Sequence, residues 1–318
     1  MPMKLVLLSG AILLILLILI IEVLLRQVFG FGNPLLYVSD RQIGYLLAPN
    51  QNVRRFGNRI QINQYSMRSG TVSTRADSTF RVLMIGDSIV NGGWWTDQKN
   101  TLSEVLADHL KEFKPGAVEV LNASANSWGP RNELAYLQQF GLFQAQVVAL
   151  VINTDDLFAT APTSLPVGHD RNYPDRKPPL ALIEVVSRYL LPAPPISEAL
   201  KVVQAEGGDR VGINLEAIRQ IYQLVHQNKA RFLLVMTPLL RELDAPRDYE
   251  LVARQRLLDL TQTESIQYID FLTVFSAEIK KPKDVYHDHI HLNLAGNKLV
   301  SDWISKTLQE SQIPPLNQ

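Results

Sequence analysis

The sequence predicts an α/β fold: a three-layer α/β/α sandwich around a mainly parallel sheet of about five strands, preceded by one transmembrane helix. Two observations carry this. From Arg81 onward, short apolar runs alternate with longer amphipathic stretches, the rhythm of βαβ units and a parallel sheet. Ahead of them the amino terminus holds a long uncharged apolar segment.

That segment, Leu5 to Ile21, reads LVLLSGAILLILLILII. Glu22 interrupts it, and Val23, Leu24 and Leu25 follow before Arg26. As a helix, Leu5 to Leu25 would span ~31 Å, close to the thickness of a bilayer's hydrocarbon core. A buried core helix fits poorly, because no polar face exists. No small-x-small cleavage site ends the apolar stretch, so residues 1–26 read as an uncleaved signal anchor. Glu22 lies near one end, within reach of the interface. Lys4 and the terminal amine stand on one side and Arg26 and Arg41 on the other, close to a tie on the positive-inside count.

Residues 27–80 read as an extended connector punctuated by Pro34 and Pro49. Within it, NVRRF, Gly57-Asn58 and RIQIN predict a β-hairpin, with the Gly-Asn pair as its turn. Arg26 to Arg81 holds eight Arg against two Asp, either a solvated linker surface or one that meets anionic lipid head groups beside the anchor.

Five strands follow. RVLMIG (81–86), VEVLNA (118–123), QVVALVIN (146–153), FLLVM (232–236) and IQYIDFL (266–272) are the apolar runs that strands covered on both faces require. Between them, Thr101 caps a helix whose first turn holds Glu104, and Pro115-Gly116 stops it. Pro130 suits the start of a helix over 131–140. Further helices are predicted over 215–229, 249–261 and 294–308. Residues 157–210 break the rhythm, with eight prolines between Pro162 and Pro195 and a short helix near 180–190. Long insertions of this kind often form lids or substrate walls. The sandwich domain is thus expected over 81–312.

Composition narrows the chemistry. Lys plus Arg number 31 and Asp plus Glu number 31, a balance unlike the basic excess of nucleic-acid binders. There is no cysteine, which excludes disulfides and thiolate catalysis. No phosphate loop, dinucleotide fingerprint or cysteine-based metal site is present, so no cofactor and no metal is expected. Oligomeric state is not readable.

In a parallel sheet, sites form beyond the carboxyl ends of the strands. Polar clusters fall there at Gly86-Asp87-Ser88, at 122–129 and at 153–156, and a fourth, His287-Asp288-His289-Ile290-His291, precedes the last helix. A serine hydroxyl needs a base to become nucleophilic, and the base needs an orienting acid. Asp288 and His291, three apart, allow one tight loop to supply both, with Ser88 exposed at a sharp strand-to-helix turn. His287, His289 and His291 also alternate, a spacing able to bind a metal; a loop in which only His291 is functional is preferred. Trp94 and Trp95 either wall a pocket or pack in the core. The polar run from Asn122 to Asn126 is either a strand-end turn or a substrate-facing wall.

GDSIVNGG, NASANSWG, NTDDL and DHIHLNLAG resemble, in order, the four sequence blocks of the SGNH (GDSL-type) hydrolases, over about residues 81–310. The resemblance implies a flavodoxin-like sandwich and metal-free cleavage or transfer of acyl groups on lipid, carbohydrate or other esters. It implies Ser88 as nucleophile, His291 as base and Asp288 as acid. The oxyanion donors it implies are the backbone N–H of Ser88, a second backbone N–H at Ser127 and an Asn side chain. Apart from the resemblance, Trp94 and Asn126 are the candidate substrate-facing residues of the two stretches left open above. Exported, N-terminally anchored members are common, which implies a single-pass membrane protein with its domain outside the cytoplasm, acting on an envelope carbohydrate or lipid ester.

The chain departs from the pattern twice. Ser127 stands where the second block usually offers Gly, which keeps a backbone N–H only if the required φ/ψ is reachable. The third block, usually Gly-x-Asn-Asp, is Asn153-Thr154-Asp155-Asp156. An ionised Asp155 would oppose an oxyanion. Asn153, two residues earlier on the same strand face, is therefore expected to supply the amide, with a protonated Asp155 as the alternative. Two rival readings remain: Ser127 as nucleophile of a loose G-x-S-x-G elbow, and a degenerate module that only binds polysaccharide or a partner protein.

Overall fold

The computed structural model describes residues 3–310; the first two residues of the expected anchor and the last two of the expected 81–312 domain lie outside the described residues. Helix α1 (Met3–Leu24) continues through a π-helical turn, Leu25–Phe29, and stops at Gly30 with φ 75°. The combined helix is long and apolar enough to cross a membrane, and none of its most apolar stretch is buried against protein.

Strands β1 (Tyr37–Asp40) and β2 (Gly44–Leu47) form one antiparallel hairpin, and β3 (Gln51–Arg55) and β4 (Asn58–Ile62) form a second. Only the second was expected, and its turn differs. Arg55 pairs with Asn58, so the turn residues are Phe56 and Gly57, at φ 46° and 86°. Two positive φ values are what a tight two-residue hairpin turn needs. Asn58 is drawn into the strand, where its side chain donates to the Trp94 carbonyl (3.2 Å), while the Phe56 ring packs among Phe29, Phe31 and Trp94.

The stretch expected as a connector is thus a packed layer. Ile43, Leu47, Ile60, Ile62 and Met67 are buried in one cluster with Leu83, Ile85, Leu121 and Leu150 of the main sheet. Each of its strands is only four or five residues long, too short for hydrophobic periodicity to declare which side is covered.

The sandwich follows. In chain order it comprises β5 (Phe80–Gly86), α2 (Ser88–Asn91), α3 (Leu102–Lys111), β6 (Val118–Ser124), α4 (Pro130–Phe140) and β7 (Val147–Asn153). The insertion carries α5 (Ala181–Val185) and α6 (Glu198–Gln204). Then come α7 (Arg210–Gln227), β8 (Arg231–Thr237), α8 (Asp248–Thr263), β9 (Gln267–Asp270), α9 (Phe271–Glu278) and α10 (Leu294–Glu310). The five strands are all parallel, in the order β6-β5-β7-β8-β9.

Alternation along β5 builds the layers. Leu83 and Ile85 face α4, α7 and α8, whereas Val82 and Met84 face α3, α9 and α10. The last strand is shorter than expected because Asp270 ends it, accepting the Leu272 N–H (2.9 Å) as the cap of α9.

Arg68 ties the amino-terminal layer to the site. It is fully buried, and burial pushes its guanidinium down to about 10 even though Asp97 opposes the shift. It donates to the carbonyls of Asn91, Gly93 and Thr96, each at 2.5 Å. These three hold the loop that carries Trp94 and Trp95. Replacing Arg68 by Met strands three acceptors, two of them buried and that of Thr96 partly so. Each unsatisfied buried acceptor costs about 1–3 kcal/mol, so a loss of at least about 2 kcal/mol is expected. Denaturant unfolding of the full chain in detergent measures it.

Candidate active site

Ser88 is the first residue of α2, just past the end of β5. The turn is tight because Gly86 lies flat against β7. A Cβ there would collide with the Val151 carbonyl and the Val90 side chain. Asp87 caps the helix, its Oδ1 accepting the Ile89 N–H at 2.8 Å.

The partner loop is built separately. Tyr286 pairs with Leu292 as an isolated antiparallel bridge, and the His287 N–H donates to the His291 carbonyl (2.8 Å), closing a tight loop. The Tyr286 hydroxyl donates to the Pro238 carbonyl (2.6 Å) and the Leu240 N–H to the His289 carbonyl (2.9 Å), docking the loop beyond β8. Asn293 starts α10, its Oδ1 accepting N–H groups from Ala295 (2.8 Å) and Gly296 (3.1 Å). The Asp-x-x-His-x-Asn block is therefore a loop-and-cap unit.

These two pieces bring together the residues named from sequence. Ser88 Oγ lies 2.9 Å from His291 Nε2, and His291 Nδ1 lies 2.8 Å from Asp288 Oδ2. Asp288 Oδ1 accepts the N–H groups of Ile290 (2.9 Å) and His291 (2.8 Å). Partial burial works against its charge, but these donors and the imidazole outweigh it and hold the carboxyl down at about 2. The arrangement is an ionised carboxylate orienting an imidazole whose far nitrogen meets a serine hydroxyl, which is what withdrawing a serine proton requires.

Behind Ser88 lies a layer of buried acids that sequence reading missed. Asp87 Oδ2 sits 3.2 Å from Ser88 Oγ and accepts the Asn153 amide at 2.9 Å. Burial pushes the Asp87 carboxyl up, against the pull of the Ile89 N–H and of His291. Asp156 is driven further up by burial and by Asp87 and Glu133, and Glu133 is fully buried with no hydrogen-bond partner on either oxygen among the described residues. Repulsion among three buried carboxyls favours their protonated forms.

The expected oxyanion role of Asn153 is corrected by this layer. Its amide donates to Asp87 Oδ2 (2.9 Å) and to Asp156 Oδ2 (3.0 Å), so both hydrogens are already committed. The strand-face argument fails because β7 ends at Asn153 and residues 154–158 turn into a 3-10 helix. Asp155, the alternative, lines the cleft with an exposed side chain, and partial burial raises its carboxyl pKa despite Arg241. Ser127 adopts φ 60°, the left-handed region that favours glycine, so the backbone shape of the second block is kept by a serine. Its Oγ accepts the Tyr173 hydroxyl at 3.0 Å. No imidazole hydrogen-bonds to it, unlike Ser88.

The run from Asn122 divides in two. Asn122 donates to the Val90 carbonyl (2.8 Å) and to Ser103 Oγ (2.9 Å), bracing α2 from within. Asn126 lines the cleft with a side-chain oxygen that has no hydrogen-bond partner among the described residues. Trp94 is half exposed on the rim, but the ring against the imidazole is Trp95, tilted 4.6 Å from His291 and stacked at 5.2 Å on His287. Among the described residues, no group of three or more His, Cys, Asp or Glu side chains is arranged to hold a metal. The cleft, about 990 Å³, contains Ser88 and His291 and is walled by the amino-terminal layer, by 158–163 and by 170–174 of the insertion.

Comparison with solved structures returns low-identity likenesses. An alpha/beta hydrolase enzyme from the metagenome of Lake Arreo, Spain, is 15% identical, with 72% of this chain and 95% of that one covered at a TM-score of 0.48. An acetylxylan esterase from Geobacillus stearothermophilus is 12% identical, with 71% and 93% covered at 0.47. A member of the lipolytic protein G-D-S-L family from Veillonella parvula is 13% identical, with 74% and 100% covered at 0.46. No curated protein matched the sequence. The family model described as GDSL-like Lipase/Acylhydrolase matches residues 84–299, a span that holds Ser88, Asp288 and His291. The chain belongs to the GDSL-like lipase/acylhydrolase family.

Proposed function

We propose that this protein is a membrane-anchored serine esterase whose nucleophile is Ser88, with His291 as general base and Asp288 as the acid that orients it. The observation that carries this is the pair of contacts at His291: 2.9 Å from Nε2 to Ser88 Oγ and 2.8 Å from Nδ1 to Asp288 Oδ2. In the first step the hydroxyl proton passes to Nε2 as Oγ bonds to the ester carbonyl carbon. The tetrahedral oxyanion collapses, the alcohol leaves with that proton, and the acyl group stays on Ser88. A water then repeats the sequence through the same base and frees the acid; a carbohydrate hydroxyl in its place would make the enzyme an acyltransferase. Backbone N–H groups of Ser88 and Ser127 are the proposed oxyanion donors, with Asp155 in the place the family usually gives to a neutral amide. Trp94, Trp95 and Asn126 form the wall against which the ester lies. Helix α1 anchors the chain in one pass, with the domain on the extracytoplasmic side and an envelope ester as substrate.

Ser88→Ala is expected to abolish fluorophosphonate labelling and to lower hydrolysis of a chromogenic short-chain ester by at least about 10³-fold. Ser127→Ala should leave labelling intact. Undiminished labelling of Ser88→Ala would sink the assignment and point to another nucleophile such as Ser127, and no labelling of the wild type would favour a module that only binds.

Asp288→Asn should lower kcat by about 10²- to 10⁴-fold, because the imidazole loses its orienting charge. It should also change acid stability. The folded carboxyl, at about 2, lies below its ordinary 3.8, so its contribution is present above about pH 4 and lost as pH falls through about 2. Wild-type stability should therefore fall more steeply than the variant's between those values, as thermal unfolding across the range would reveal.

Asp155→Asn removes a carboxylate from the cleft. A rise of several-fold in kcat at pH 8, shrinking toward acid pH as the wild-type carboxyl protonates, is the expected outcome; an unchanged or lower kcat would place Asp155 away from the oxyanion.

A further inference from the structure

The stretch from Leu180 to Leu191 is an amphipathic helix turned inside out. Helix α5 continues as a π-helical turn, Val186–Leu190. Its inner side carries the charges. Glu184 is buried and accepts the Gly32 N–H and Arg55 Nη2, both at 2.6 Å, and Arg188 stands one turn further on the same side, 3.6 Å from Glu184. Its outer side carries the apolar groups: Leu180 is 44% exposed, Ile183 45%, Leu190 73% and Leu191 55%. A helix on a water-facing protein surface shows the reverse distribution.

Its place in the fold says what covers this face. Both oxygens of Glu22, inside the apolar helix, accept backbone N–H groups from the start of α5: Ala181 at 2.8 Å and Leu182 at 3.0 Å. Arg26 donates to the Pro179 carbonyl at 3.1 Å. Seven residues of helix separate Glu22 from Phe29, about 10 Å at 1.5 Å per residue. The insertion is thus fastened below the helix's end, at a level where a bilayer containing α1 has its interface.

A line of rings runs from the same place to the reaction centre. Phe29 packs on Phe56 (5.9 Å), Phe56 on Trp94 (5.2 Å), Trp94 on Trp95 (5.7 Å) and Trp95 on His291 (4.6 Å).

We infer that the outer face of 180–191 lies in the lipid interface beside α1, and that the cleft takes its ester from that bilayer, the apolar part of the substrate following the aromatic line to Ser88. The membrane contact stands on the geometry of α1 and α5; the origin of the ester rests on the esterase reading above. The substrate class is an amphiphilic ester resident in the membrane, in contrast to a free soluble polymer.

The chain has no cysteine, so single cysteines can be introduced and labelled without background. Full-length Ile183→Cys, Leu190→Cys and Lys298→Cys would each carry an environment-sensitive fluorophore in vesicles of phosphatidylcholine and phosphatidylglycerol. Lys298 is the reference, exposed on α10 in the layer across the sheet. Lipids with doxyl groups near the head should quench the labels at 183 and 190 about threefold more than that at 298. Equal quenching at all three sites would overturn the inference. So would a blue shift at 183 and 190 that ignores doxyl lipid but grows with protein concentration, which would give the face to a second copy. In a second arm, Ile183→Glu combined with Leu190→Glu should slow hydrolysis of a long-chain ester carried in vesicles about tenfold and leave a water-soluble acetate ester unchanged. Equal rates for wild type and double variant on both esters would refute the membrane origin of the substrate. Inactivity of the wild type on both would refute the esterase reading and that origin with it, while the quenching result would still decide the membrane contact.

Discussion

The hydrogen bond between Ser88 Oγ and His291 Nε2 spans 2.9 Å in space and 203 residues in sequence, and most of the architecture exists to keep it short. It needs β5 inside the sheet, between β6 and β7, so that Ser88 emerges where β7 and the loop beyond β8 can reach it. It needs Gly86, since any Cβ would push β5 from β7 at the residue before the turn. It also needs the loop at 285–293 to be rigid on its own, and the bridge from Tyr286 to Leu292 with the Asn293 cap supplies that. Parallel pairing is slow to assemble because its contacts are distant in sequence. The hydroxyl and the imidazole can meet only once the sheet and α10 are both in place.

The same turn imposes a second constraint beneath the serine. Asp87 must cap α2, and its free oxygen then faces inward, where water is excluded. Asn153 meets that oxygen with an amide hydrogen and gives its other one to Asp156. A buried amide held between two carboxyls is fully used. Two residues further on, where the family pattern usually has Asn, this chain has Asp155. The left-handed conformation at Ser127, uncommon for a residue with a Cβ, marks how strictly the second block holds its shape.

What the sequence made legible follows from how far each signal reaches. Buried parallel strands are apolar throughout, so all five were readable to within a few residues, and the Asp288–His291 spacing fits one loop whatever surrounds it. Signals that depend on neighbours were lost. Phe271 and Leu272 continue the apolar run of β9, and only Asp270 acting as a cap makes them a helix. The turn at Phe56-Gly57 is set by packing of the Phe56 ring and by the Asn58 contact with Trp94, neither visible in a dipeptide preference. The 27–80 segment looked like a connector because its buried residues are spaced for strands of four or five residues. Trp95 and Trp94 were equivalent in sequence, and the hold of Arg68 on Gly93 and Thr96 decides which ring meets the imidazole.

The join between α1 and the domain is held by several hydrogen bonds. A flexible linker would let the cleft sample many orientations and distances from a membrane. Here the Phe56 N–H donates to the Phe29 carbonyl (3.0 Å), Arg55 donates to the Gly30 carbonyl (3.2 Å), and Glu22 and Arg26 grip the insertion. Four attachments from two separate parts of the domain converge on the last two turns of one helix. Such a joint fixes direction as well as distance, so the aromatic line from Phe29 keeps one bearing relative to the axis of α1. On the proposed anchoring, a fixed bearing would suit an ester that arrives at one height and from one side, the condition a bilayer imposes on its own lipids and does not impose on a polymer free in solution.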